Sequence, residues 1–258
     1  MRNLIRKFIL NTISFFSNPS NYIHILNGHF VEEVNNKNSF ILFEIFIQKL
    51  ISKYDIISLD QAIHLINNKI FISKPKLVLT FDDGFEECFT IIIPILNKYN
   101  IKATFFINPA SINSDFDNAE FINNNLKVNL NKKFMSWDNL KHISENGHII
   151  GSHTYSHLIL NNLSKEILEK ELVYSKKIIE EKLNINCKYF AYPFGNDNYF
   201  DTNAFNLANK IYDYTFISGN YKNYFYKKNN VLSRRHFEPN WNYKHILFFT
   251  SFKRKFNV

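Results

Sequence analysis

The spacing of apolar residues changes along the chain from a helical pattern to an alternation of strands and helices. Residues 40–53, "FILFEIFIQKLISK", carry apolar side chains at helical spacing, and Ser58 precedes a second helical segment as its N-cap. From residue 76 onward, short apolar runs alternate with helical patterns. This alternation predicts a parallel β-sheet with crossover helices, either open or closed into a barrel.

The predicted elements follow one another at short intervals. Strands are expected at 76–81, 102–107, 148–153, 188–192, 214–218 and 231–237. Helices are expected at 87–99 with a kink at Pro94, at 136–147 and 164–183 with serine caps, and near 201–211. The polar, irregular segment 111–134 is interpreted as a loop insertion. We therefore predict one main domain over 75–258, with a helical lead-in over 1–74 packed on it.

Composition and charge exclude some classes of protein but do not identify a function. The chain has 258 residues, 45% of them hydrophobic, and a net charge of +8. The basic residues are scattered and no nucleic-acid-reading motif is present, so we expect no nucleic acid partner; a solvated, lysine-rich surface explains the charge, and anionic lipids or acidic glycans are alternatives. The two cysteines, Cys88 and Cys187, form no CxxC pair, which excludes a cysteine-rich zinc module and a disulfide framework.

The N-terminal segment is basic and only briefly apolar. Arg2, Arg6 and Lys7 flank an apolar stretch over 8–16 that polar residues interrupt. It is too short for a secretory signal or a membrane span. We expect a first helix packed on the domain, and the alternative is a basic amphipathic helix in peripheral contact with a membrane surface.

Two stretches place metal-binding residue types at the ends of predicted strands. "LTFDDGF" carries Asp82 and Asp83, and "GSHTYSH" carries His153 and His157. Alone, the first is as typical of a solvated turn and the second of ordinary surface or core histidines. Because the carboxyl ends of parallel strands meet at one edge of a sheet, the two stretches can lie together. Two imidazoles and a carboxylate are the usual ligand set of a catalytic divalent ion.

A third stretch, "YFAYPFGN", ends a predicted strand with Pro193 and Gly195. One interpretation is an ordinary strand-ending turn. The other is that the rigid proline and the permissive glycine expose a backbone N–H, which could donate to a developing oxyanion.

The combination of these stretches resembles a known family. In order and spacing, "TFDDG", "HTYSH" and "FAYPFG" resemble the first three motifs of the polysaccharide deacetylase family, the NodB-homology domain of carbohydrate esterase family 4. The similarity covers roughly residues 75–220, and "YDIISLDQAI" and "KATFFI" resemble the family as well. The resemblance implies an α/β fold, a distorted and incomplete (β/α) barrel, that holds one divalent metal ion, most often Zn²⁺.

The resemblance also implies a role for each site residue. Asp83, His153 and His157 would bind the metal ion, and Asp82 would be the general base. The backbone N–H of Phe194 would help to hold the oxyanion. A metal ion lowers the pKa of a bound water toward ~7, which is the chemistry that such a site needs.

The sequence departs from the family's pattern at three places, and one of them is that the family's fourth motif, with an Asp and a Trp, is not identifiable. Many relatives carry an arginine that pairs with the general base two positions before the motif's proline, where this chain has Ala191. We expect Arg234 or Arg235 to supply the missing cation. His236 is the candidate general acid, although the spacing of its late motif is one residue too long.

The resemblance implies a bacterial hydrolase that removes N-acetyl groups from an amino sugar in a polysaccharide, an oligosaccharide or a lipid-linked glycan precursor. Alternatives are hydrolysis of another non-peptide C–N bond or of an O-acetyl ester, and a catalytically silent glycan-binding relative. The absence of a recognisable export signal favours surface-glycan biosynthesis in the cytoplasm or at the inner membrane.

Overall fold

Ten strands form a single sheet in the computed structural model, which describes residues 17–31, 36–112, 118–128, 131–239 and 242–256. The strands are β1 Ile23–Gly28, β2 Asp55–Ile56, β3 Lys76–Phe81, β4 Thr104–Ile107, β5 Ile149–Ser152, β6 Tyr189–Ala191, β7 Tyr214–Ile217, β8 Phe225–Tyr226, β9 Lys228–Ser233 and β10 Arg235–His236. The N-terminal helix predicted around residues 8–16 lies outside the described residues.

The sheet nearly closes on itself. Its order is β10-β1-β3-β4-β5-β6-β7-β9-β8, with β2 beside β3, and every pair is parallel except β8 with β9. The segment from β9 to β10 pairs first with β7 and then with β1, which brings the two edges of the sheet together. This confirms the predicted distorted, incomplete (β/α) barrel.

Strand β1 corrects the description of the lead-in. Residues 23–28 fall within the segment predicted to be helical, but they form a strand paired with β3 along its whole length. Ile23 and Ile25 face one buried cluster and Leu26 faces another. Side chains on opposite faces of the chain are typical of a strand that is buried on both sides. The lead-in therefore supplies part of the barrel, while the domain boundary at residue 75 stays a prediction.

Helices surround the strands and connect them. They are α1 Asn36–Ile51, α2 Leu59–Asn67, α3 Ile93–Lys98, α4 Pro109–Ile112, α5 Asn118–Phe121, α6 Trp137–Glu145, α7 Lys165–Glu169, α8 Ser175–Leu183, α9 Thr202–Ile211 and α10 Tyr243–Thr250. Ser58, Ser136 and Ser164 accept the expected capping hydrogen bonds at the starts of α2, α6 and α7. Within the described ranges, no helix is both long and apolar enough to cross a bilayer.

Three predicted segments are less regular than expected. A π-helical turn, Cys88–Ile92, precedes α3, and Pro94 lies in the first turn of that helix, where its missing N–H is tolerated. A second π-helical turn, Lys170–Tyr174, separates α7 from α8. The segment 111–134, predicted as a loop, contains α5 and the π-helical turn Ile122–Leu126. Its buried side chains Phe121, Ile122 and Leu126 form a small cluster with Phe85, Ala110 and Tyr155.

The barrel is plugged at one end and open at the other. Helix α2 packs on the cluster that fills the barrel interior. Its Asp60 accepts a hydrogen bond from the hydroxyl of Tyr189, the first residue of β6. Its Asn67 donates one to the hydroxyl of Tyr214, the first residue of β7. Helix α2 therefore covers the amino-terminal ends of the strands. The carboxyl-terminal ends, where the predicted site residues lie, remain open to solvent.

Candidate metal centre and active-site cleft

A cleft of about 490 Å³ opens at the carboxyl-terminal edge of the barrel. All six residues predicted for the site line it: Asp82, Asp83, His153, His157, Phe194 and His236. They come from the ends of β3, β5 and β6 and from β10. The closing of the sheet therefore gathers residues that are up to about 150 positions apart, and their individual roles stay predictions.

Asp82 and Asp83 point to different parts of the cleft because the chain turns sharply between them. Strand β3 ends at Phe81, and Asp83 has a φ of +72°, followed by Gly84 at +77°. The separation of the two carboxylates thus arises from a left-handed turn that begins after the strand has ended. A non-glycine residue in this region costs roughly 1–2 kcal/mol, a strain typical of functional sites.

Asp83, His153 and His157 form a compact set of three donors. Asp83 Oδ1 lies 3.6 Å from His153 Nε2 and 3.5 Å from His157 Nε2. Donors bound to one tetrahedral zinc ion are about 3.4 Å apart, so the spacing fits a shared ion. Asp83 Oδ1 is fully buried and has no hydrogen-bond partner among the described residues. A buried oxygen of this kind needs a cation or a proton.

Both imidazoles are oriented by backbone carbonyls. His153 Nδ1 donates to Ala191 O at 2.7 Å, and His157 Nδ1 donates to Asn125 O at 3.1 Å. These contacts place the proton on Nδ1 and leave the lone pair of each Nε2 directed toward Asp83. Carbonyl acceptors of this kind commonly orient metal-binding histidines. Asn125 lies in the segment that was predicted to be a loop, so that segment supports the site.

The electrostatics of the set favour a bound cation. Burial raises the pKa of Asp83 to about 7, since the ionised carboxylate is poorly solvated there. Burial likewise lowers the pKa of His153 to about 4 and that of His157 well below its ordinary value. Neutral imidazoles are the form that binds a metal, and a divalent ion would stabilise the ionised Asp83. The residues therefore fit the ion that the sequence predicts.

The two histidines are spaced by an irregular loop and not by a helical turn. Thr154 and His157 both have positive φ angles, +68° and +57°. Thr154 Oγ1 accepts from the backbone N–H of His157 at 2.9 Å. Ser156 donates through its hydroxyl and its backbone N–H to the buried carboxylate of Glu171, at 2.6 and 2.9 Å. Thr154 and Ser156 thus orient the loop, and Glu171 anchors it.

Arg234 supplies the cation for Asp82. Its Nη1 and Nη2 donate to the two carboxylate oxygens of Asp82, each at 2.8 Å, and Nη1 also donates to Thr80 Oγ1. Burial alone would raise the pKa of Asp82, but the charge and hydrogen bonds of Arg234 hold it well below its ordinary value. The prediction that a late arginine replaces the one missing at Ala191 is confirmed, and Arg234 is that residue.

Phe194 borders the metal-binding set. It has a φ of +59°, and Gly195, at +64°, donates from its backbone to Tyr192 O and so closes the turn. A side chain at Gly195 would place its Cβ 2.5 Å from Ser218 Oγ, which explains the need for glycine. The ring of Phe194 contacts that of His157, with centroids 4.8 Å apart. Within the described residues, no hydrogen bond uses the Phe194 N–H, so it can donate to a ligand.

His236 lies in the cleft with two residues that sequence reasoning missed, His29 and Glu238. His29 Nδ1 donates to Glu238 Oε1 at 2.7 Å, and the same oxygen lies 3.5 Å from His236 Nε2. Burial opposes the charge on His29, but the hydrogen bond to Glu238 and the charge of Asp83 raise its pKa to about 9. Burial and the charge of His29 lower the pKa of His236. The only signal in the sequence for His29 is its position directly after the short, interrupted apolar segment 23–28, which forms β1.

Comparison with known sequences agrees with this geometry. A sequence model of the family described as polysaccharide deacetylase matches residues 72–216, which is more than half of the chain. The chain belongs to the polysaccharide deacetylase family. This family consists of hydrolases that act on N-acetyl groups of polysaccharides.

Individual relatives match about half of this chain in sequence. The peptidoglycan-N-acetylglucosamine deacetylase of Bacillus cereus is 31% identical over 124 residues, which cover 48% of this chain and 38% of that protein. The peptidoglycan-N-acetylmuramic acid deacetylase PdaA of Bacillus subtilis is 27% identical over 127 residues, which cover 49% and 36%. The matched regions span less than two-fifths of the length of these curated relatives.

Solved structures confirm the fold over most of the chain. The Streptococcus pyogenes deacetylase PplD, in complex with acetate, superposes with a TM-score of 0.69 at 20% identity, covering 90% of this chain and 99% of that one. IcaB from Ammonifex degensii superposes with a TM-score of 0.67 at 16% identity, covering 91% and 99%. The barrel of this chain is thus the fold of these two proteins.

Proposed function

We propose that the protein is a metal-dependent deacetylase, which hydrolyses the N-acetyl amide of an amino sugar in a polysaccharide, an oligosaccharide or a lipid-linked glycan precursor. One observation carries the proposal. The buried, unpartnered Asp83 Oδ1 faces two imidazole lone pairs, next to an ionised carboxylate, Asp82, in a cleft open to solvent. A protein that only binds glycans has no need for this arrangement.

Each residue has a chemical task in this reaction. Asp83, His153 and His157 would hold a divalent ion, and their donor set suits Zn²⁺. When bound, such an ion supplies Lewis acidity, which acidifies water and polarises the acetyl carbonyl. Asp82 removes a proton from the attacking water, and Arg234 keeps that carboxylate ionised and fixed in direction. The Phe194 N–H donates to the oxygen that becomes negatively charged.

The leaving amine needs a proton, and two histidines at the cleft can supply it. His236 is the residue that the sequence predicts. Of the two, His29 has the higher pKa and holds its second proton more strongly, since Glu238 accepts a hydrogen bond from its Nδ1 and stabilises the imidazolium. A charged His29 carries a second proton on Nε2, and we assign the donation to this atom. In this assignment His236 does not donate the proton; its ring contacts that of His29, with the ring centroids 5.1 Å apart.

The walls of the cleft support a sugar as the substrate. Phe30 and Phe194, which are both half-buried, line it together with Leu126, beside the polar groups of the site. Sugar rings have apolar faces that stack on aromatic side chains, and their hydroxyls need polar partners. The relatives named above act on peptidoglycan amino sugars, which supports an N-acetylated glycan as the substrate class.

The test is acetate release from N-acetylglucosamine oligomers and from peptidoglycan fragments, by zinc-loaded wild type and by Asp82→Asn. We expect the variant to lose at least about 100-fold in rate, as is typical when a general base is removed. Its affinity for the oligomers, measured by calorimetry, should stay within a few-fold of wild type. Asp138→Asn, at an exposed position, is the matched control and should be fully active.

The other outcomes separate the alternative functions. Full hydrolysis by Asp82→Asn would show that the base is assigned wrongly. Binding without acetate release in wild type would indicate a silent glycan-binding relative. Faster release from an O-acetylated sugar than from the N-acetylated one would indicate an esterase.

A further inference from the structure

A second cluster of metal-binding side chains lies at the seam where β10 pairs with β1. His29 follows β1, His236 ends β10, and Glu238 follows two residues later. One nitrogen of each imidazole and one carboxylate oxygen of Glu238 all lie within 4.8 Å of one another. Imidazole and carboxylate are donors that zinc takes in proteins. The cluster shares no residue with Asp83, His153 and His157.

The geometry of this cluster is close to that of a metal site. Glu238 Oε1 lies 2.7 Å from His29 Nδ1 and 3.5 Å from His236 Nε2. Since donors around tetrahedral zinc are about 3.4 Å apart, the second distance already fits and the first must lengthen by roughly 0.7 Å. The other oxygen, Oε2, accepts from the backbone N–H of His29 at 3.4 Å, which orients the carboxylate. All three residues line the cleft, so an ion can reach them from solvent.

We propose that His29, His236 and Glu238 bind a second Zn²⁺ ion, more weakly than Asp83, His153 and His157 bind the first. The order of affinity has two causes. The ion must displace the proton that His29 Nδ1 donates to Glu238, and this proton passes to solvent. The side chain of His236 is 41% exposed, whereas those of the first set are 9% exposed or less, so the second set is less rigidly held.

The second ion has two consequences. It joins β1 to β10, which are held together by only two register pairs, and should therefore stabilise the closure of the barrel. It also takes the place of the proton on His29 Nδ1, so that His29 can no longer be the imidazolium whose Nε2 donates a proton in the proposed reaction. This second consequence rests on the proposed function, and it predicts that zinc beyond one equivalent inhibits deacetylation.

The test is a calorimetric titration of metal-free protein with zinc chloride. We expect two classes of site in wild type, one equivalent each. His236→Gln and Glu238→Gln should keep the tight site and weaken the second at least about tenfold. A variant with both His153→Ala and His157→Ala should keep only the weak site. His64→Ala, which removes an exposed histidine elsewhere, is the control and should bind like wild type.

Thermal unfolding and acetate release, measured along the same titration, complete the test. The melting temperature of wild type should rise again with the second equivalent, and that of His236→Gln should not. A single equivalent in wild type, or two tight equivalents in His236→Gln, would overturn the site. Two bound equivalents with undiminished acetate release would overturn the inhibition alone. If no zinc loading yields acetate, the proposed function fails while the binding data still decide the site.

Discussion

Arg234 donates two parallel hydrogen bonds of 2.8 Å to the carboxylate of Asp82, and both side chains are almost completely buried. Arg234 lies between β9 and β10, where the chain passes from one edge of the barrel to the other. Its guanidinium also stacks over the ring of Phe106, 4.9 Å away. The residue that closes the barrel thus also fixes the proposed catalytic base.

Replacing this arginine should damage both stability and activity. In Arg234→Met the buried Asp82 loses its counter-ion, which typically costs about 3–5 kcal/mol. Burial would then raise the pKa of Asp82, and the acid limb of the rate profile should move to higher pH. Chemical denaturation and the pH dependence of acetate release check these two effects.

The double variant Arg234→Met/Asp82→Asn provides the control. Because no buried carboxylate is left without a partner, it should be more stable than Arg234→Met alone. Equal stability of the two variants would show that Arg234 acts by packing and not through the charge of Asp82.

Glu171 should control metal affinity although it lies behind the metal-binding residues. Its carboxylate accepts two hydrogen bonds from Ser156, which directly precedes His157 in the loop that starts at His153. Glu171→Gln loses one of the two acceptor oxygens, and we expect zinc affinity to fall about 10- to 100-fold. Competition with a zinc-binding dye measures this. Glu169→Gln, at an exposed position two residues earlier, should leave affinity unchanged, and an equal loss there would contradict the assignment.

The charge of Asp83 should destabilise the metal-free protein at neutral and alkaline pH. Its pKa is raised to about 7 in the fold, against ~3.9 in an unfolded chain. Between these values the folded state alone holds the proton, so this contribution to stability is complete below about pH 4 and is lost as the pH rises through 7.

Thermal unfolding in a chelator tests this directly. Metal-free Asp83→Asn should be more stable than metal-free wild type at pH 8, and the two should converge toward pH 4. Saturating zinc at pH 8 should reverse the order, because only wild type keeps the full ligand set. Identical metal-free curves at pH 8 would contradict the burial argument.

Glu238 should set the alkaline limit of activity. Removing a hydrogen-bonded carboxylate lowers the pKa of its imidazole partner by about 1–3 units. In Glu238→Gln, we therefore expect the alkaline limb of acetate release to move to lower pH, since His29 loses its second proton earlier. The acid limb, which reports Asp82, should stay in place. An unmoved alkaline limb would exclude His29 as the proton donor.

Sequence reasoning predicted most strands and the six cleft residues because both follow local patterns. Asp83, His153 and His157 stand at the ends of strands, and parallel strands share one carboxyl edge. The resemblance to the family assigned their roles, and the gap at Ala191 directed attention to Arg234.

The residues that sequence reasoning missed depend on long-range pairing. His29 and Glu238 are 209 positions apart and meet only because β1 pairs with β10 at the closing seam. The apolar run of β1 is too short and too interrupted by His24 and Asn27 to predict a strand by itself. The loop between His153 and His157 depends on a left-handed backbone conformation at Thr154 and His157, and neither residue type predicts that conformation from the sequence. Location in the cytoplasm or at the inner membrane stays a prediction.

The most direct test of the metal centre is the metal content of purified, dialysed protein, measured by mass spectrometry for wild type and for His153→Ala/His157→Ala. We expect one tightly held divalent ion per chain in wild type and none at this site in the variant, with circular dichroism showing that both are folded. No retained ion in wild type after divalent metals are added back, or equal retention in the variant, would contradict the account.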